Sequence, residues 1–316
     1  AISIKKNDII IMPSINFTAS YNCSKILGAK VYLADTDEKT GQMSPNDVIN
    51  CCKKFKLKKI KAIIVMYNGG YPNNADKFYK LKKKFKCFII EDACHAFGAT
   101  YLLNKKKNLI GCAKHSDICT FSLHPLKTIT TGEGGVLTTN NKKFDKKIKS
   151  FRSLGIEKKK GNYWKYNVVH YGLNFRLTDF QCALGINQLK KIDIFLNKRK
   201  FISEFYNKHL GKINEIITPS EDTKYQSSNH LYIIKLKNGN HKLKDKFINY
   251  MKKKNIYLQY HYIPIYKFKI FKDKYIGKKS NIYYNSAVSL PIYYGLSNTQ
   301  LNFIVRSIRS FFKLND

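Results

Sequence analysis

Acidic residues are scarce in this chain. Its 316 residues include 21 Asp and Glu against 58 Lys and Arg, a formal net charge of +37. An imbalance of that size raises nucleic-acid and membrane-surface roles at once. The sequence lacks what either would need. Its basic residues are not grouped with aromatics on one face, and no nucleic-acid-binding motif is found. They spread over the whole chain in runs such as Lys82-Lys83-Lys84, Lys105-Lys106-Lys107 and Lys158-Lys159-Lys160. That distribution reads as a solvated lysine coat, one that would also draw an anionic small substrate. Long apolar runs are missing too, so no bilayer-spanning segment is read. The opening residues lack the basic, apolar and small order of a signal peptide. Cys-x-x-Cys pairs are absent. The eight cysteines (Cys23, Cys51, Cys52, Cys87, Cys94, Cys112, Cys119 and Cys182) make no Cys/His cluster of zinc spacing, so no metal site is expected. Reduced thiols in a cytoplasmic protein are the simplest account. There is no internal repeat. The 43% hydrophobic content and the length predict a globular chain of about two domains.

Short apolar runs alternate with helical patterns through the first two-fifths of the chain. Residues 9–12 read as a buried strand, 18–27 as a helix and 31–33 as a strand. Ser44 is a helix N-cap with Pro45 at the first helical position, and the helix runs to about Cys52. Residues 60–66 read as a strand, 74–85 as a Lys-rich helix and 87–90 as another strand. Continuous apolar strands between helices predict a parallel sheet covered on both faces. Strands at 118–122 and 135–138 follow, then a helix at 144–151. Residues 177–205 read as one long helix, with apolar positions at Leu184, Ile186, Leu189, Ile192 and Leu196. A lengthened, Lys-rich hairpin loop is expected at 102–109. Strands at 231–236 and 256–259 flank a helix at 243–253, and 297–312 is an amphipathic helix. The polar, turn-rich stretch 205–228 predicts a boundary between a large domain at 1–205 and a small domain at 206–316.

Two segments carry chemistry. The strand at 87–90 runs into Glu91-Asp92-Ala93-Cys94-His95-Ala96-Phe97-Gly98. A carboxylate at the carboxyl end of a parallel strand faces the crevice where α/β folds bind ligands. Asp92 there is a cofactor partner, a metal ligand, an acid/base group or a helix N-cap. The second segment is Phe121-Ser122-Leu123-His124-Pro125-Leu126-Lys127-Thr128-Ile129-Thr130-Thr131-Gly132-Glu133-Gly134-Gly135. It places one lysine in a Thr- and Gly-rich turn after a strand. A lysine in a partly desolvated crevice has a lowered pKa and forms Schiff bases. The glycines let backbone pack where side chains do not fit. Lys127 alone would read as one more surface lysine; its setting argues otherwise.

Together the segments resemble the DegT/StrS-type pyridoxal-phosphate-dependent sugar-nucleotide aminotransferases. Their pattern is E-D-x-x-H-x-x-G, then F-S-x-H-x-x-K-x-I-T-T-G-E-G-G. The likeness continues through Gly172-Leu173-Asn174-Phe175-Arg176-Leu177-Thr178-Asp179, Asn229-His230-Leu231-Tyr232 and His261-Tyr262-Ile263-Pro264-Ile265-Tyr266. It covers essentially the whole chain. It implies an α/β PLP-transferase fold of type I, like aspartate aminotransferase: a large domain with a mostly parallel central sheet and a smaller α+β C-terminal domain. It also implies roles. Lys127 would hold pyridoxal 5'-phosphate as a Schiff base and shuttle the proton of transamination. Asp92 would pair with the protonated pyridine nitrogen, keeping the ring an electron sink. His95 would lie beside the phenolic oxygen, Ser122 would bind the phosphate, and Phe17 would stack on the ring. Asn174 would reach the phosphate from a partner subunit, making a homodimer with a shared site. His261, Tyr262, Ile263, Pro264 and Ile265 would contact substrate.

Within the family, segments 124–129, 227–232, 261–266 and 289–291 resemble the transaminase of the pseudaminic acid pathway. That likeness implies transfer of an amino group from L-glutamate to carbon 4 of a UDP-linked 4-keto-6-deoxy-N-acetyl sugar. Another nucleotide keto sugar is the neighbouring alternative. The family's dehydratases carry His where the Schiff-base lysine would be, and Lys127 speaks against them. One departure stands out. The family's Gly/Ser-Thr-rich phosphate-binding turn precedes the first strand seen here, and Ala1 aligns after it. Roughly sixty family residues are thus expected to be absent, against a typical domain of ~100–200 residues. A truncated, inactive relative is therefore a further reading.

Overall fold

The computed structural model describes residues 1–158, 161, 164–220, 222–271 and 275–313. Its central sheet is built from the apolar runs. β1 (Ile9–Pro13), β2 (Lys30–Ala34), β3 (Ala62–Met66) and β4 (Phe88–Asp92) come first. A hairpin of β5 (Thr100–Leu103) and β6 (Lys106–Leu109) interrupts, and β7 (Ile118–Ser122) and β8 (Gly135–Thr138) complete the set. The sheet order is β2-β1-β3-β4-β7-β8. The pairings from β2 to β7 are parallel, and β8 closes the edge antiparallel to β7. Side chains alternate across the pleat. Ile11, Ile63, Val65 and Ile89 enter one apolar cluster with Val48, Cys51, Phe78 and Leu81 from the helices α2 (Pro45–Lys54) and α3 (Ala75–Phe85). Ile10, Met12, Ala62, Ile64 and Ile118 enter the cluster on the other face, with Tyr21 from α1 (Thr18–Ile26) and Phe144 from α4 (Lys142–Arg152). The expectation of a doubly covered, mostly parallel sheet holds.

Local chemistry explains the boundaries. Ser44 and Asp47 form a reciprocal capping box at the start of α2, with Pro45 at its first position. Asn104 and Lys105 both take positive φ (50° and 61°), the conformation a two-residue hairpin turn requires, so the lysine-rich insert forms the expected hairpin.

The second body has its own core. A small hairpin, β9 (Ile156–Lys158) and β10 (Tyr166–Val168), and then α5 (Asp179–Lys190) and α6 (Ile192–Leu210) lead into it. The single helix expected over 177–205 is two helices, because Lys191 leaves helical geometry at φ −101°, ψ 7°. β11 (Ile216–Ile217), β12 (Tyr225–Gln226) and β13 (Tyr232–Leu236) follow, then α7 (His241–Lys253), α8 (Lys278–Ser286), β14 (Ala287–Leu290) and α9 (Asn298–Phe311). β13 lies between β11 and β14 in an antiparallel sheet. The strand expected at 256–259 reduces to a single bridge, Gln259 to Ser289. Ile202, Tyr206 and Leu210 of α6 pack with Phe247, Met251, Leu301 and Ile304. The second core thus begins in the middle of α6. Further on, the chain returns to the first body: β12 pairs with β5, and Ile265 and Tyr275 join the first body's core.

Candidate active site

Four neighbouring parallel strands deliver residues to one place, at their carboxyl ends. β1 leads to Phe17, β3 to the turn Asn68–Gly70, β4 to Asp92 and His95, and β7 to Ser122 and Lys127. This is where open α/β sheets bind ligands.

Asp92 is buried. Its Oδ2 accepts a 2.8 Å hydrogen bond from the Ser20 hydroxyl on α1, and its Oδ1 accepts one of 3.3 Å from the Cys94 amide. Lys127 is half-buried on a loop whose ends are tied together. The Leu123 amide donates to Gly134 O at 2.9 Å, and Leu123 O accepts from the Thr131 amide (3.0 Å) and the Thr130 hydroxyl (2.9 Å). Gly134 sits at φ 157°, and a Cβ there would come within 2.5 Å of Thr131 Oγ1, so the loop's closure requires glycine. Burial lowers the Lys127 pKa, partly offset by Cys94 and the Asp92 carboxylate. A lysine so placed is neutral more of the time and attacks carbonyl carbons. The Cys94 thiol between them is pushed far up by burial and by Asp92, and it stays protonated.

A histidine group closes one side. The rings of His95 and His230 lie 4.4 Å apart, and those of His95 and His261 6.1 Å. All three have pKa values lowered chiefly by burial, with Lys127 adding to the effect. His261 falls to about 4. The group is therefore neutral at ordinary pH. The Gly69 amide donates to His95 Nδ1 at 3.3 Å, and the Tyr262 hydroxyl lies 2.8 Å from His95 Nε2. Asn68 Nδ2 donates to His261 O (3.2 Å) and to the Tyr283 hydroxyl (2.9 Å), pinning the two bodies together. On the far side of β4, Glu91 accepts from the Tyr67 hydroxyl (2.6 Å) and the Ser116 hydroxyl (2.9 Å).

The expected residues fall into groups. Asp92, His95 and Lys127 converge. Phe17 caps α1 at the lip, exposed, with its ring 5.7 Å from that of Tyr262. Ser122 ends β7, and its Oγ accepts from the His124 amide at 3.3 Å. Asn174 is exposed in a backbone bridge to Ser153, and no described contact joins it to Lys127 or Asp92. His261 meets the group through its ring, beside that of His95, while its Nδ1 lies 2.8 Å from Ser289 Oγ, and Tyr262 meets it through the hydroxyl beside His95 Nε2. Ile265 is 1% exposed and packs in the sheet's core, so its side chain is spent there and it leaves the set of substrate contacts. Pro264 is buried beside it, and Ile263 is half-buried. Sequence reasoning passed over Ser20, Asn68 and Gly69. The turn Asn68–Gly70 at the end of a parallel strand was a signal available for two of them.

Comparison with known proteins fits this geometry. The sequence profile of the DegT/DnrJ/EryC1/StrS aminotransferase family matches residues 1–309. The UDP-4-amino-4,6-dideoxy-N-acetyl-beta-L-altrosamine transaminase of Campylobacter jejuni subsp. jejuni serotype O:23/36 is 34% identical over 314 residues, 96% of this chain and 79% of that protein. The GDP-perosamine synthase of Escherichia coli O157:H7 is 29% identical over 99% of this chain and 81% of its own. The solved structure of Helicobacter pylori PseC, an aminotransferase involved in the biosynthesis of pseudoaminic acid, superposes with TM-score 0.88 at 28% identity, over 98% of this chain and 80% of that one. The chain belongs to the DegT/DnrJ/EryC1/StrS aminotransferase family.

Enzymes of this family depend on pyridoxal phosphate. The donor set here suits that group. Asp92 accepts from the Ser20 hydroxyl, the Cys94 amide and the Cys94 thiol, and the carboxylate's remaining lone-pair capacity leaves room for a ring N–H. A partly desolvated lysine faces that carboxylate.

Proposed function

We propose that this aminotransferase moves an amino group from L-glutamate to carbon 4 of a UDP-linked 4-keto-6-deoxy-N-acetylhexosamine, working as a homodimer. The observation that carries the reading is Lys127, half-buried and facing Asp92 among three neutral histidines. Bound pyridoxal phosphate supplies an electron sink for the carbanion that transamination generates. The chain's own residues do the rest. Lys127 Nζ anchors the cofactor and carries the proton between donor or acceptor carbon and cofactor. The Asp92 carboxylate, oriented by Ser20 and the Cys94 amide, holds the proton on the ring nitrogen. Ser122 binds the phosphate, Phe17 covers the ring, and Asn174 completes the phosphate site from the partner subunit. Donor and acceptor use one site in turn, which gives ping-pong kinetics.

The 34% identical relative supports the UDP-linked sugar. The GDP-perosamine synthase at 29% favours a second reading, in which the acceptor is another nucleotide-linked 4-keto sugar. The dimer is supported by α5, on which Phe180, Leu184, Ile186 and Leu189 are all exposed. Among the described residues no helix is long and apolar enough to cross a membrane.

The test is an absorbance spectrum of the purified chain with pyridoxal phosphate, beside Lys127→Ala. Wild type should show a visible band, and borohydride should fix the cofactor's mass on the Lys127 peptide. No band in either protein would overturn the proposal. A panel of UDP- and GDP-linked 4-keto sugars then separates the two readings by which of them bleaches the glutamate-treated form.

A further inference from the structure

His95 is 2% exposed, and both of its ring nitrogens are in use. The donor to Nδ1 is the Gly69 backbone amide. An amide N–H only donates, so Nδ1 presents its lone pair, and the proton of the neutral ring resides on Nε2. That N–H points to the Tyr262 oxygen 2.8 Å away. Tyr262 therefore accepts from His95, and its own proton is left to donate elsewhere. Among the described residues the hydroxyl has no other partner. The neighbours of Tyr262 are Phe17, Asp92, Cys94 and Tyr283, which places it on the lip and wall of the Lys127 site. His95 in turn faces His230, His261 and Lys127; its burial, with the lysine close by, opposes its protonation and keeps the chain of bonds pointing one way. A fixed amide, a neutral imidazole and a phenol in series polarise one another outward.

Building on Lys127 as the cofactor anchor, we propose that Tyr262 donates the hydrogen bond to an anionic oxygen bound beside Lys127, and that His95 is the positioning residue behind it. With both nitrogens occupied, His95 does not make that contact itself. Two oxygens have the required chemistry: the cofactor's phenolic oxygen, and the carbonyl oxygen of the keto substrate as it gains charge.

Two measurements decide the matter. The first is the 15N–1H correlation pattern of the His95 ring in the full chain without cofactor, assigned by its loss in His95→Gln. The Nε2–H tautomer is expected, and an Nδ1–H pattern overturns the proposal. This holds whether or not the chain proves to be a transaminase, so the two readings fail separately. The second measurement compares wild type, Tyr262→Phe, His95→Ala and His95→Gln loaded with pyridoxal phosphate. If the cofactor oxygen is the acceptor, Tyr262→Phe raises the pH at which the visible band shifts by about one unit, tenfold in proton affinity. His95→Ala does the same in part, and His95→Gln, whose amide still donates to Tyr262, restores the wild-type value. If the substrate oxygen is the acceptor, the band stays put while kcat with the keto sugar falls roughly 100-fold, the lower end of the general-acid range, and by more than the rate of the glutamate half-reaction falls. If Tyr262→Phe moves neither, the proposal is wrong.

Discussion

The hydroxyl of Ser20 donates to Asp92 Oδ2 at 2.8 Å across 72 positions of sequence. Helix α1 thereby reaches the end of β4 and fixes one oxygen of the carboxylate proposed to hold the cofactor's ring nitrogen. A hydrogen bond to a charged group contributes about 1.5–3 kcal/mol. Ser20→Ala should weaken pyridoxal phosphate binding roughly tenfold or more, since 1.4 kcal/mol is about a factor of ten, and Ser20→Thr should keep most of it. Titration of the cofactor by absorbance checks this; equal affinity in Ser20→Ala would show the bond to be incidental.

The buried histidines make the protein acid-sensitive. His95, His230 and His261 have folded pKa values below the ordinary 6.5, His261 at about 4. Below about pH 6.5 the unfolded chain takes up these protons first, so stability falls as pH falls, and the His261 share levels off under about pH 4. Glu91 works in the opposite sense, because burial raises its carboxyl pKa and it gains a proton first in the folded state. One carboxyl is set against three imidazoles. His261 alone should lose on the order of 2 kcal/mol between about pH 7.5 and 5. Urea midpoints at the two pH values measure the drop, and His261→Gln should flatten it.

Gly70 lies at φ 95° where the two bodies meet. A Cβ there would come within 2.1 Å of Ser228 Oγ and 2.5 Å of His95 O. The Ser228 hydroxyl donates to that same carbonyl at 2.6 Å, so the neighbour has no room to yield. Gly70→Ala should cost more than the ~1–3 kcal/mol of left-handed backbone strain alone. Gly132→Ala, at φ 79° in open space, should cost only the strain. Chemical denaturation of both variants tests the ordering.

The exposed apolar residues of α5, spread round the helix, predict self-association. Phe180 is 90% exposed and Ile186 59% exposed. Sedimentation of the wild type should give twice the chain mass, and Phe180→Asp with Ile186→Asp should shift it toward the single chain. A wild-type monomer under the same conditions would remove Asn174 from the proposed site.

The sequence by itself determined the family and the class of fold. Apolar runs alternating with helices specify a covered parallel sheet, because a strand buried on both faces has no polar positions. The Asp92 and Lys127 segments are legible because each is continuous in the chain. Tertiary structure decided everything that depends on distant partners. Ser20 and Gly69 are ordinary residues in their local sequence, and become site residues only when α1 and the β3 turn pack beside β4. Ile265 lies in a motif-like segment, yet packing sends it into the core. Periodicity read one helix over residues 177–205, since both halves carry apolar positions; the break at Lys191 lets α6 turn into the second core. The tautomer of His95 is set by a backbone amide 26 residues away in the chain, and no pattern of side chains encodes it.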